Sequence, residues 1–268
     1  MEQIIELPGY RINTKVEGEG APLLLLHSYW GSLRLFDELA KSFSQTRKVI
    51  RIDLPGHGNS SVPTPDYRFD SFAEILDKLL IHLNISGRIA IIGHSMGGYL
   101  ALAYAARYPE NIESLTLMHS PVKEADSQSI KLRNREAGLL FKGKKELLLQ
   151  VTIPSNFAPE DHPLKGDWVE LLNQTASQVT IEGAIRSIEA MNHRTNYLEM
   201  LQNSDYRILI IVGKYDKVYS AEGQLEDAQQ IPRAEILLLN HSGHLGFMEE
   251  EELVLKKLLE FMTPPLNY

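Results

Sequence analysis

Residues 89–99 read Ile-Ala-Ile-Ile-Gly-His-Ser-Met-Gly-Gly-Tyr, and this stretch decides the fold. An aliphatic run typical of a buried strand leads into the sequence around Ser95, and an alanine-rich helical segment follows as far as Arg107. Gly93 and Gly97 lie two residues before and after the serine, where a sharp strand-to-helix turn forces the backbone close together. The pattern predicts a nucleophile elbow that holds the Ser95 hydroxyl above a sheet, at the start of a helix.

A serine nucleophile needs a base, and the base needs an orienting acid. Residues 207–213 form an apolar run suited to a buried parallel strand, and Asp216 follows just past its end, where open α/β sheets place their sites. The alternative for Asp216 is a turn aspartate that caps the next helix. A further apolar strand at 235–240 precedes a loop with two candidate bases, His241 and His244.

Two weaker motifs raise the question of a metal or a nucleotide. The His-x-x-His pair of His241 and His244 has no third ligand near it in sequence, so we expect no metal. Residues 138–145 mimic a phosphate-binding loop, but Lys145 replaces the hydroxyl residue and no strand precedes the loop. We therefore predict no bound nucleotide and no cofactor.

With these motifs in order, the sequence resembles the α/β-hydrolase fold family over nearly its whole length. Four segments beyond the elbow carry the resemblance: an oxyanion-type loop, a D-x-x-G-x-G-x-S turn, an acid loop and a base loop, at 27–32, 53–60, 213–216 and 243–244. The resemblance implies the fold class: an α/β-hydrolase fold, with a mostly parallel eight-stranded sheet flanked by helices and an inserted helical cap.

The resemblance also assigns roles. It makes Ser95 the nucleophile, Asp216 the acid and His244, rather than His241, the base. His27, His57 and His94 are expected to be structural.

The resemblance further implies an oxyanion hole made by the backbone N–H groups of Tyr29 and Met96. The family's oxyanion loop usually reads His-Gly, whereas this chain has Ser28 after His27. If that backbone needs a positive φ, we expect strain at Ser28.

The chain organisation follows from where strand-like runs occur. Strands and helices alternate up to about residue 120 and again from about residue 205, but the segment between them shows only helical patterns. We predict a core of residues 1–120 and 205–268 and, by the resemblance, a cap of residues 121–204 that covers the site and selects substrate.

Within the predicted cap, residues 131–145 carry six Lys or Arg and one acid, Glu136. Such a run could hold an anionic acyl or alcohol group, although it is more often a solvated helix face. Aromatic and histidine side chains could line the pocket, although each is more typical of core or cap packing: Trp30, His119, Phe141, Phe157, Trp168 and His193.

The amino-acid composition restricts the classes of molecule that this protein is expected to bind. The 268 residues suit one large α/β domain, and a net charge of −8 argues against nucleic acid or an anionic membrane as partner. The absence of cysteine excludes disulfides and a thiol nucleophile. No signal peptide is predicted in the acidic N-terminus, and no apolar run reaches the roughly 20 residues of a membrane helix. We therefore predict a cytoplasmic protein; its oligomeric state is left open.

The function predicted is that of a serine hydrolase that cleaves a small-molecule carboxylic ester through an acyl-enzyme. Other chemistry of the same triad is the first alternative: carbon–carbon bond hydrolysis, elimination of a small acid, or perhydrolysis of the haloperoxidase type. The second is a slow-turnover ligand sensor on a hydrolase scaffold. A dehalogenase is disfavoured, because those relatives place an aspartate where this chain has Ser95.

Overall fold

A computed structural model describes residues 2–65, 67–160, 162 and 164–263. One sheet of eight strands runs through it in the order β1-β2-β4-β3-β5-β6-β7-β8. The strands are β1 Glu2–Leu7, β2 Tyr10–Glu17, β3 Ala21–Leu26, β4 Arg47–Ile52, β5 Ile89–His94, β6 Ile112–Met118, β7 Arg207–Gly213 and β8 Ala234–Leu239. Strands β3 to β8 are mutually parallel, and β1 and β2 join by antiparallel pairing. The predicted eight-stranded, mostly parallel sheet is confirmed.

Helices cover the sheet and fill a long insertion. The helices of the alternating part are α1 Asp37–Phe43, α2 Phe69–His82, α3 Met96–Arg107, α9 Ala221–Gln229, α10 Gly246–Glu249 and α11 Glu251–Met262. Between β6 and β7 lie α4 Ser127–Phe141, α5 Lys145–Ser155, α6 Lys165–Gln178, α7 Ile181–Asn192 and α8 Leu198–Gln202. The described part of this insertion contains no strand.

The central strands are buried on both faces, which explains their continuous apolar sequences. All six residues of β5 are buried, and Leu23–Leu26 of the neighbouring β3 have no exposed surface. Strand β1 was not predicted, because only Ile5 of its six residues is buried. Its pairing with β2 therefore defines it, rather than an apolar pattern.

The D-x-x-G-x-G-x-S turn after β4 is a hydrogen-bonded anchor around a buried aspartate. Asp53 is 2% exposed, and one carboxylate oxygen accepts a hydrogen bond from Leu33 N–H at 2.8 Å. The other oxygen accepts from Asn13 Nδ2 at 2.8 Å and from Asn59 N–H at 2.9 Å. A Cβ at Gly58 would lie 2.1 Å from this carboxylate, which explains the glycine. The turn thereby fixes the segment that follows β3.

We expect Asp53→Asn to lower the free energy of unfolding by about 1–3 kcal/mol, because an amide nitrogen would then face a buried donor. Urea unfolding followed by circular dichroism measures the change. Asp205→Asn, at an exposed loop position, is the matched control and should unfold like the wild type. Equal stability of the two variants would contradict the anchoring role.

Candidate active site

The turn after β5 holds Ser95 in a rare backbone conformation. Its φ of 52° and ψ of −113° lie outside the regions that ordinary residues occupy. The Ser95 N–H donates to Met118 O at 2.9 Å, and the Ser95 carbonyl accepts from Ser120 Oγ at 2.9 Å. These two bonds hold the strained residue from both sides.

Two glycines allow the turn to pack against its surroundings. A Cβ on Gly97 would lie 2.1 Å from Leu26 O, at the end of β3. A Cβ on Gly93 would lie 2.6 Å from Gly97 O. The first residues of α3 therefore contact the end of β3 directly, and Ser95 is placed beside the loop that follows that strand.

Asp216 and His244 form a buried pair at the carboxyl ends of β7 and β8. His244 Nδ1 lies 2.8 Å from Asp216 Oδ2, and the aspartate side chain has no exposed surface. Its other oxygen accepts from the N–H groups of Val218 at 2.8 Å and Tyr219 at 3.1 Å. Burial alone would raise the pKa of Asp216, but His244 and His119 hold it well below its ordinary value. An ionised carboxylate keeps the proton of His244 on Nδ1, so that Nε2 is free to accept another.

A second histidine, His119, lies behind this pair. Its Nδ1 lies 3.6 Å from Asp216 Oδ2 and 3.2 Å from the backbone nitrogen of Gly213. Its Nε2 lies 3.2 Å from the backbone nitrogen of Gly246. Burial lowers the pKa of His119 and favours the neutral ring. The potential ligand atoms of His119, Asp216 and His244 lie within 4.8 Å of one another, an arrangement compatible with a metal. Each of these three side chains already has a hydrogen-bonding partner within the protein. We therefore interpret the cluster as a hydrogen-bond network around the Asp216 carboxylate.

A cavity of about 260 Å³ lies between the sheet edge and the inserted helices. Ser95 and His244 both line it, together with residues 28–30 and 217–219 of the alternating part. Helices α4, α5, α6 and α7 supply the remaining walls. The elbow serine and the histidine of the buried pair thus face one enclosed space.

Comparison with known proteins agrees with this arrangement. The family model described as "alpha/beta hydrolase fold" matches residues 21–251. The chain belongs to the α/β-hydrolase fold family. This confirms the predicted family and fold class.

Its relatives include named lipases and esterases. Lipase 1 of Psychrobacter immobilis is 38% identical, over 90% of this chain and 75% of the relative. Pimeloyl-[acyl-carrier protein] methyl ester esterase of Nitrosomonas europaea is 26% identical, over 90% of this chain and 95% of the relative. The solved structure of a thermophilic esterase from Thermogutta terrifontis superposes with a TM-score of 0.89 at 24% identity, covering 98% of both chains, which supports the fold.

The oxyanion-type loop of this hydrolase carries its strain at an unexpected residue. The positive φ is at Trp30, at 64°, and Ser28 is not among the non-glycine residues with positive φ. The expectation of strain at Ser28 is therefore wrong. Thr175 Oγ1 of α6 donates to Trp30 O at 3.2 Å and ties the loop to the inserted helices. Tyr29 lies on this loop, and Met96 is the first residue of α3.

The remaining histidines of the sheet edge have structural contacts. His27 Nε2 accepts from Leu54 N–H at 2.9 Å, and burial lowers the pKa of His27 to about 4. His94 Nε2 donates to His244 O at 2.8 Å from beneath the elbow. His57 Nδ1 lies 3.1 Å from Pro55 O, and burial lowers the pKa of His57 to about 3. His241, the rival base, is exposed, 3.2 Å from Glu160.

Of the predicted pocket residues, only Trp30 is among the described residues that line the cavity. Phe141 is 75% exposed at the end of α4, and His193 is exposed, with Nδ1 2.7 Å from Glu189 O. Phe157 is buried in a stack with Trp168, and His119 lies behind Asp216. These side chains do not belong to the described lining of the cavity. Aromatic character alone does not tell which face of an element meets the cavity.

The polar lining residues Arg133, Glu136 and Tyr219 were not among the predicted pocket residues. The sequence contained a signal that could have identified Arg133 and Glu136. Arg133, Glu136 and the fully buried Leu140 are spaced three and four residues apart, which places them on one face of α4.

Among the described residues, we find no helix whose length and apolar character would let it span a bilayer.

We expect Gly97→Ala to destabilise the protein by about 1–3 kcal/mol, because the added methyl group overlaps Leu26 O and overpacks the turn. The matched control is Gly138→Ala, in the interior of α4, where an added Cβ meets nothing within 4 Å. The control should stabilise by about 0.5–1 kcal/mol through helix propensity. Urea midpoints that move in the same direction for both variants would contradict the close contact.

Proposed function

We propose that the protein is a carboxylesterase-like serine hydrolase in which Ser95 is the nucleophile, His244 the base and Asp216 the orienting acid. The observation that carries the proposal is the buried His244–Asp216 pair, joined at 2.8 Å, whose histidine lines the same cavity as the strained elbow serine. The lipase and esterase relatives support ester hydrolysis as the reaction. The partner proposed is a small-molecule ester.

The geometry supports a two-step mechanism. His244 Nε2 takes the proton of Ser95 as Oγ attacks the ester carbonyl carbon, and Asp216 stabilises the resulting imidazolium. The tetrahedral intermediate collapses, the bond to the alcohol oxygen breaks, and His244 returns the proton to the departing alcohol. Water then attacks the acyl-enzyme with His244 again as base, and the carboxylic acid leaves as Ser95 regains its proton.

The proposed oxyanion hole consists of the backbone N–H groups of Tyr29 and Met96. The contact between Gly97 and the end of β3 brings the loop that carries Tyr29 against the elbow that precedes Met96. Backbone donors at these two places would stabilise the negative oxygen of the intermediate, an effect of about 2.7–4 kcal/mol per donor in comparable enzymes. We also propose that α4 to α8 act as a cap, since four of them form walls of the cavity.

The nucleophile is tested by incubation with a fluorophosphonate probe and measurement of the intact mass. We expect one adduct on the wild type and none on Ser95→Ala, which should fold but lose hydrolysis of p-nitrophenyl esters. Ser86→Ala, at an exposed loop position, is the control and should react like the wild type. Ester turnover retained by Ser95→Ala would overturn the mechanism.

The acid is tested by Asp216→Asn. We expect kcat to fall by about 10⁴-fold, because an amide at this position favours the wrong tautomer of His244. Steady-state kinetics with a p-nitrophenyl ester give the value, and circular dichroism checks the fold. Asp205→Asn should keep wild-type kcat. Near-normal turnover by Asp216→Asn would show that another carboxylate orients the base.

A further inference from the structure

Polar groups in the cavity wall are incompletely hydrogen-bonded. Arg133 Nη1 is shielded from solvent and has no partner among the described residues. Tyr29 Oη and Glu136 Oε1 are also shielded from solvent, and these two side chains lie close enough to interact with each other. All three side chains line the cavity that contains Ser95 and His244. Buried polar groups are normally hydrogen-bonded, because leaving one unpaired is costly. Such a cluster in the cavity that contains Ser95 is suited to recognise polar groups of a ligand.

Arg133 is held in a defined position relative to Asp216. Its Nη2 donates to Tyr219 Oη at 3.1 Å, and Tyr219 N–H donates to Asp216 Oδ1 at 3.1 Å. Tyr99 also hydrogen-bonds the Tyr219 hydroxyl. One side of the guanidinium is therefore anchored beside the buried Asp216–His244 pair, and Nη1 remains for a ligand.

The other basic residues of the 131–145 run do not share this environment. Lys131, Arg135, Lys142 and Lys144 are exposed, as a solvated helix face would be. Lys145 Nζ donates to backbone carbonyls of 177 and 179. Arg133 alone of the six belongs to the described lining of the cavity. The run thus contributes one cation to the cavity, rather than a diffuse basic surface.

The charges of the cavity favour an anion. The described lining contains two cations, Arg133 and Lys217, and one acid, Glu136. Among the described residues, no carboxylate lies within 4.0 Å of either cation. Burial raises the pKa of Glu136, although Tyr29 and Arg133 oppose the shift. Burial and the neighbouring Glu136 carboxyl raise the pKa of the Tyr29 hydroxyl well above its ordinary value.

We propose that the substrate is an ester that carries a second, ionised carboxylate, which Arg133 binds through Nη1 while Ser95 attacks the ester. This inference rests on the proposed function and names its substrate class. The exposed Lys217 adds attraction at the cavity rim. A neutral aliphatic chain of the same length would leave the shielded Arg133 Nη1 without a partner, so the site discriminates against it.

The test uses ester pairs in which a carboxylate replaces a terminal methyl group. Monomethyl glutarate is compared with methyl valerate for a charge on the acyl side, and 4-butyryloxybutanoate with butyl butyrate for a charge on the alcohol side. Titration of the released acid gives kcat/KM for each ester. We expect the wild type to prefer the anionic member of at least one pair by about 10- to 100-fold, the effect of one charge-assisted hydrogen bond.

Variants test whether Arg133 causes that preference. Arg133→Gln should reduce the anionic-to-neutral ratio of kcat/KM by about 10-fold or more, and Arg133→Lys should restore part of it. Glu136→Gln, which removes the opposing charge, should raise the ratio. Arg135→Gln, an exposed neighbour on the same helix, should leave the ratio unchanged.

The outcomes separate this proposal from the proposed function. If the wild type hydrolyses esters but prefers the neutral member of both pairs, the carboxylate site is refuted and the hydrolase stands. A ratio that Arg133→Gln does not change refutes the role of Arg133 in the same way. If no ester is hydrolysed, p-nitrophenyl esters included, and Ser95 takes no fluorophosphonate, the proposed function itself fails and this inference fails with it.

Discussion

The active-site edge of this protein depends on backbone segments that touch without a side chain between them. Gly97 contacts Leu26 O at the end of β3, and an added Cβ at Gly213 would lie 2.0 Å from Gly243 O. A Cβ at Gly243 would in turn lie 2.5 Å from Asn156 O, beyond α5. The first contact holds the start of α3 against the end of β3, and the other two hold the loops after β7 and β8 against each other and against the end of α5. Ser95 and His244 line the cavity between these segments.

Hydrogen bonds then couple the buried charges of the two parts of the chain. Asp216 accepts hydrogen bonds from two backbone N–H groups and from His244, and His244 and His119 hold its pKa below the ordinary value despite its burial. Tyr219 links this carboxylate to Arg133 of α4, and His244 N–H donates to Asn156 O at 2.7 Å. The proposed catalytic pair and the proposed carboxylate site therefore share one hydrogen-bond network, and Arg133 and Ser95 line the same cavity.

Local sequence patterns predicted most of the framework. Seven of the eight strands and the helices of the insertion were recognisable, because apolar runs and helical periodicity mark segments that are buried or amphipathic. Strand β1 was not predicted, because one face of it is exposed. Helix α9 was not predicted, because its short polar sequence resembles that of a loop. The strained Ser95 was predicted correctly, since the glycine spacing that permits the elbow is itself local. The strain at Trp30 was not, because tertiary packing of its loop decides it.

By itself, the sequence determined the family, the sheet and the positions of Ser95, Asp216 and His244 just past strand ends, since each depends on a motif a few residues long. Only the tertiary structure decided that His244 faces Asp216 while His241 faces solvent, and that Arg133 rather than Phe141 or His193 reaches the cavity. These choices depend on the rotation of each helix about its axis and on the closure of loops over more than one hundred residues. Packing of the whole core sets both, and no local pattern encodes them.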